Sequence, residues 1–175
     1  LQRAGELGTV GVSYKSPAGS HPDYPALQVL GIIMGSGKTS RFFRALTDKN
    51  LTTNVVSEPG FFHDPTLFQI YASLAPGAKH EVVEKIILDE VARVKADGVT
   101  EAEVATAAGK IRANTAYGRD GSFAIASNIN EDIAAGDWTL FITLDKSLAK
   151  VTAADVKRVA NTYLKENQST TGWFE

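Results

Sequence analysis

The hydrophobic pattern changes its period at Pro76-Gly77, and that change limits the possible architectures more than anything else in the chain. Before it, residues 9–14 alternate, with Val10, Val12 and Tyr14 on one face and Thr9, Gly11 and Ser13 on the other. Phe68, Ile70, Ala72 and Leu74 likewise alternate with Leu67, Gln69, Tyr71 and Ser73. A period of two places successive side chains on opposite faces, so both stretches read as half-buried strands. Residues 52–56 are β-branched and polar and add a third strand, closed by a turn at Glu58-Pro59-Gly60. Between the first two strands, residues 24–34 carry Leu27, Leu30 and Met34 at helical spacing, and Gly35-Ser36-Gly37 ends that helix. A short helix over residues 40–47 follows, with Phe42, Phe43 and Leu46.

After Pro76-Gly77 the period becomes helical. Over residues 79–96, Val82, Val83, Ile86, Ile87, Val91 and Val94 form an apolar stripe backed by charged residues. Thr100 and Glu103 have the spacing of a capping box, in which hydroxyl and carboxylate satisfy free backbone N–H groups at a helix start. An Ala-rich helix follows toward Tyr117. Residues 123–135 and 139–148 read as shorter helices separated by Gly136-Asp137. Thr152 and Asp155 repeat the capping signature before a helix whose buried side is Val156, Val159, Ala160 and Tyr163, and residues 169–175 end the chain as a β-type segment. With strands early and helices late, the expected class is α+β: a two-layer sandwich of a small, largely antiparallel sheet with helices on one face.

The 175 residues contain no internal repeat and no linker, so residues 1–175 are expected to form a single domain. No initiator Met opens the chain and no polar tail follows the last strand, so the expectation is a piece excised from a longer polypeptide. There is no cysteine, so disulfides and thiol nucleophiles are excluded. Eighteen basic against twenty acidic residues give a net charge of −2, which argues against nucleic acid as a partner. Apolar runs such as residues 29–34 are far short of the roughly 20 residues that cross a bilayer, and the first residues lack the apolar core of a signal peptide. No membrane insertion is expected, and the compartment stays open.

Two motifs approach known chemistry without reaching it. Gly35-Ser36-Gly37-Lys38-Thr39 looks like the end of a phosphate-binding loop, but the required earlier glycine is Ile32 and a helix rather than a strand precedes it; a turn between two helices is the better reading. His80-Glu81-Val82-Val83-Glu84 resembles the zincin HExxH with Glu84 in place of the second imidazole. His21 and His63 fall in other loops and supply no obvious third ligand, so a solvated first helical turn is expected there. The inverted HxxEH and the GxSxG nucleophile elbow are absent from the sequence. Trp138, Trp173 and Phe61-Phe62 are expected in core or interface packing.

Several local phrases nevertheless form a pattern. Residues 24–35 (YPALQVLGIIMG) with residues 40–46 (SRFFRAL), then residues 51–56 (LTTNVV), residues 97–104 (DGVTEAEV) and residues 151–156 (VTAADV) occur in this order. Together they resemble the signatures of the pitrilysin/insulinase family of zinc peptidases, which includes the mitochondrial processing peptidase. The resemblance extends over residues 9–173.

It implies a fold shared by paired domains: a catalytic one bearing HxxEH and a distal Glu, and a sister domain without the metal site. The two close around a chamber in which a peptide is cut by zinc-activated water. Lacking HxxEH, this chain resembles the sister, inactive domain, with no catalytic residue, no metal ligand and no cofactor of its own. Its implied partners are a zinc-bearing catalytic domain, on the same chain or a separate subunit, and a peptide substrate. The alternative is a purely structural or assembly module of the same fold with no proteolytic partner. Many sister domains reach the substrate with an Arg and a Tyr; the matching positions here are Thr47 and Thr53, which offer hydroxyls but no charge. Arg41 and Arg44 are the neighbouring cations, giving four chamber candidates, although Arg41 in this signature is expected to anchor a turn or helix end. Bacterial members are often exported, so a periplasmic location is compatible with the resemblance.

Overall fold

The computed structural model describes residues 8–174; the segment read for a signal peptide and Glu175 lie outside the described residues. Four strands, β1 (Thr9–Ser16), β2 (Thr52–Pro59), β3 (Thr66–Leu74) and β4 (Ser169–Phe174), form one sheet in the order β2-β3-β1-β4. Every pairing is antiparallel, with Val12 opposite Ile70 on one side and Thr171 on the other. Among the described residues seven α-helices complete the fold: α1 (Tyr24–Gly35), α2 (Arg41–Ala45), α3 (His80–Asp97), α4 (Glu101–Tyr117), α5 (Ser122–Ala134), α6 (Leu140–Leu148) and α7 (Ala153–Tyr163). The α+β class and the antiparallel sheet expected from the sequence are therefore present.

The period-two strands bury one face. Val10, Val12, Tyr14, Phe68, Ile70 and Ala72 are all at most 3% exposed and meet α1, α3 and α7 in a single core with Leu27, Phe42 and Ile87. The opposite face carries Gly11, Ser13, Gln69 and Tyr71; Tyr71 and its cross-strand neighbour Val56 remain 44% and 39% exposed. An antiparallel sheet tolerates such an open face because its backbone is paired within the sheet.

Both capping boxes form. The Glu103 N–H donates to the Thr100 hydroxyl (3.1 Å) and the Thr100 N–H to the Glu103 carboxylate (2.8 Å), while Thr152 and Asp155 repeat the pair at 3.2 and 3.0 Å. Thr152→Ala is expected to lower stability by about 1 kcal/mol in a denaturant melt, the usual cost of losing an N-cap side chain.

Two expectations need correction. The turn placed at Glu58-Pro59-Gly60 begins later, because β2 continues through Pro59 opposite Phe68. A proline is tolerated there because β2 is an edge strand and its missing N–H need not serve the ladder. Of the core or interface packing expected for the aromatics, Phe61 packs inward, 5.1 Å from the Tyr24 ring, while Trp138, Trp173 and Phe62 lie at the surface, 58%, 45% and 61% exposed. The first turn of α3 is docked rather than solvated: the His80 Nε2–H donates to the Phe174 carbonyl (2.9 Å), and the Trp173 indole N–H donates to Glu84 (2.9 Å). The zincin-like spacing thus places two side chains on one face of a helix, where they clamp β4.

Candidate functional site

A cleft of about 480 Å³ lies between α1, the turn that follows it, and the edge strand β2. Its depth follows from two glycines. A Cβ on Gly35 would lie 2.4 Å from the Ser57 backbone N, and one on Gly31 would lie 2.9 Å from the Ser57 carbonyl, so only glycine lets α1 approach β2 this closely. The Ser57 hydroxyl seals the contact by donating to the Gly31 carbonyl at 2.9 Å. All of residues 53–59 line the cleft, and as an edge strand β2 leaves alternate backbone N–H and C=O groups without a strand partner.

Thr47 and Thr53 both border this cleft. Thr47 sits in a 3₁₀ turn (Thr47–Lys49) and shares a 2.9 Å hydrogen bond with the Thr52 hydroxyl. Thr53 lies in a β-bulge: the register with β3 shifts between Thr52 and Asn54, so Thr53 and Asn54 are exposed in succession. Bulges re-aim side chains and interrupt pairing, and here the Thr53 hydroxyl donates to the Ser73 carbonyl of β3 at 3.4 Å. Sequence reasoning did not find the bulge. Its trace is the odd spacing of Thr52 and Val55, three apart where an unbroken strand would bury positions two apart.

Arg41 and Arg44 are placed elsewhere. Arg41 grips Glu103 with Nε and Nη2 (2.9 and 3.0 Å) and donates to the Gly98 carbonyl (3.1 Å), joining the end of α3 to the start of α4. Burial by itself would raise the Glu103 pKa, but the hydrogen bonds from Arg41 and Thr100 and the Arg41 charge outweigh it and hold the carboxyl at about 2. Arg44 donates to the Thr39 carbonyl (2.8 Å), and both arginines border a separate depression with Glu90 and Arg93. The cation that lines the cleft is Lys38, with Glu58 its charged counterpart. In the glycine turn, the Lys110 ammonium is held by the Ser36 carbonyl (3.0 Å) and the Thr39 hydroxyl (3.2 Å), an arrangement built to hold a cation.

The donor set does not suit zinc. Among the described residues no three His, Asp or Glu side chains are grouped as a metal site. Each imidazole has a local partner: His21 Nδ1 accepts the Asp23 N–H (3.1 Å), His63 meets Asp64 (3.2 Å) and His80 is held by Phe174.

Comparison with known proteins agrees with this geometry. The family model of the peptidase M16 inactive domain matches residues 2–110. An uncharacterised zinc protease of Streptomyces coelicolor is 32% identical over 148 residues, which is 82% of this chain and 32% of that protein. A protease structure from Helicobacter pylori superposes with a TM-score of 0.92 at 26% identity, covering 100% of this chain and 43% of that one. A Bordetella parapertussis structure described as the inactive peptidase domain of a zinc protease superposes with a TM-score of 0.89 at 24% identity, over 100% of this chain and 96% of that one, a likeness of fold. The match over residues 2–110 defines the chain as an inactive peptidase domain. The chain belongs to the peptidase M16 family, the pitrilysin/insulinase group of zinc peptidases whose phrases the sequence carries. It spans about a third of the length of the curated relatives it matches.

Proposed function

We propose that this chain is one domain of a longer zinc peptidase and forms the non-catalytic wall of its peptide chamber. The observation that carries this reading is the cleft along edge strand β2, bordered by Thr47 and Thr53. An extended peptide entering it would pair with the free backbone groups of β2 as an added strand, so main-chain hydrogen bonds supply affinity without requiring a particular sequence. Thr53 offers one hydroxyl beside that strand. Neither threonine carries charge, so transition-state stabilisation from this side is small, and zinc and the general base come from a catalytic partner domain, in the same polypeptide or a separate subunit. Arg41 and Arg44 serve the fold that shapes the cleft rather than the peptide.

The test uses the purified chain. Adding an extended, unlabelled peptide should shift backbone amide resonances of residues 53–59 and of Lys38; shifts confined to β4, the other sheet edge, or no shifts at all would remove the reading. After exposure to excess zinc and dialysis the chain should hold no stoichiometric metal and should leave peptides intact. Zinc retention together with cleavage would overturn the non-catalytic assignment.

A further inference from the structure

Tyr24 and Gln28 line two cavities. Besides the cleft, they border a pocket of about 280 Å³ enclosed by α1, Phe61, the end of α4, and helices α5 and α6. That volume is below the roughly 300–1,000 Å³ of sites that enclose a drug-sized ligand, and suits a single side chain. Tyr24, Phe61, Phe141 and Leu144 provide aromatic and aliphatic walls.

Its polar groups are unbalanced. Asp132 is 8% exposed and lines the pocket, and its carboxylate has no hydrogen-bond or ion-pair partner among the described residues. It is the buried residue of α5, a helix otherwise set at the surface. Gln28 Oε1 is buried and equally without a partner. Of the donors nearby, Asn128 Nδ2 is committed to the carbonyls of Gly118 (2.7 Å) and Ala124 (2.9 Å), while the Asn114 amide and the Tyr24 hydroxyl line the pocket without reaching Asp132 or Gln28. Arg119 donates to the Phe141 carbonyl and lies 4.3 Å over the Phe141 ring. Burial raises the Asp132 pKa, opposed by the charge of Arg119 and reinforced by Glu131 and Asp137. A nearly buried carboxylate and a buried amide oxygen with no donor are costly unless something supplies N–H groups. Aromatic walls favour a cation for that purpose. A guanidinium supplies five donors in a planar fork, enough for a carboxylate and an amide oxygen together.

We propose that this pocket receives the arginine side chain of a peptide lying in the adjoining cleft, with Asp132 and Gln28 accepting from the guanidinium. The proposal rests on the reading of the cleft as a peptide site, because Tyr24 and Gln28 connect the two. It gives the domain a sequence preference at one position, in addition to the sequence-tolerant pairing along β2.

The experiment measures binding of short extended peptides to the chain by calorimetry or fluorescence anisotropy. A single Arg is placed at each position in turn, and each peptide is paired with a citrulline version that keeps the shape and loses the charge. At one position or two neighbouring ones, the Arg peptide should bind about tenfold more tightly than its citrulline partner, as expected for charged hydrogen bonds. In Asp132→Asn, which is isosteric, that difference should vanish. Equal binding of Arg and citrulline peptides at every position overturns the pocket and leaves the cleft standing, and this comparison needs no variant. An arginine preference that survives in a folded Asp132→Asn protein also overturns it. Failure of every peptide to bind removes the cleft reading and the pocket with it.

Discussion

Gly35→Ala is expected to destabilise the protein by about 2–3 kcal/mol, whereas Gly109→Ala, the same change in another helix, is expected to stabilise it by about 1 kcal/mol. Alanine is the better helix former at both positions, so local propensity predicts a gain at each. What separates them is the environment of the new methyl group. At Gly109 it meets nothing within 4 Å, and the helix simply becomes more favourable. At Gly35 it would lie 2.4 Å from the Ser57 backbone N and 2.9 Å from the Val56 carbonyl carbon, atoms of a strand that cannot give way like a flexible side chain. The helix must then move off β2. Because that contact shapes the cleft, Gly35→Ala should also weaken peptide binding and perturb amide resonances along β2. Equal stabilisation by both substitutions in chemical denaturation would mean that α1 and β2 are not in the close contact described.

Removing the Arg41 side chain is expected to cost about 2–3 kcal/mol at neutral pH, because it breaks a two-point carboxylate pair and a bond to the Gly98 carbonyl together. The pH dependence identifies the cause. The Glu103 carboxyl titrates at about 2 in the folded protein, against an ordinary value of 4.5. A carboxyl with a lowered folded pKa contributes stability fully above the unfolded value and loses it as pH falls toward the folded one. The difference in stability between wild type and Arg41→Ala should therefore be constant near pH 7, narrow below about pH 4.5, and be smallest near pH 2. Arg41→Lys should recover only part of the loss, since an ammonium cannot reproduce the two parallel bonds. A difference independent of pH over that window would assign the loss to packing of the Arg41 stem instead of the ion pair.

How much of this was legible in the chain follows from the range over which each feature is encoded. The alternation of Val10, Val12 and Tyr14, the stripe of Val83, Ile87, Val91 and Val94, and the Thr100/Glu103 and Thr152/Asp155 boxes are all set by residues within a few positions of one another. Backbone geometry then turns spacing into structure directly. The α+β class and the helix boundaries followed, as did the absence of HxxEH. The placement of Thr47 and Thr53 was reached by resemblance, since two threonines carry no chemical signal of their own.

Other features depend on partners far apart in sequence. His80 and Glu84 have a metal-ligand spacing, and only the return of β4 beside α3, 94 residues from His80 to Phe174, shows that they hold a strand. Arg41 could be assigned to a helix end or to the cleft until Glu103, 62 positions away, was brought against it. Pro59 reads as a turn until β2 proves to be an edge. Asp132 reads as one more surface acid until α5 and α6 fold over Gln28 and leave it enclosed without a donor. Sequence by itself determined the elements, the covered face of the sheet and the absence of HxxEH, because these are local patterns or direct inventories. The tertiary structure decided the strand order, the cleft and which polar groups lack partners, because each depends on burial and pairing energies that exist only after distant segments have met.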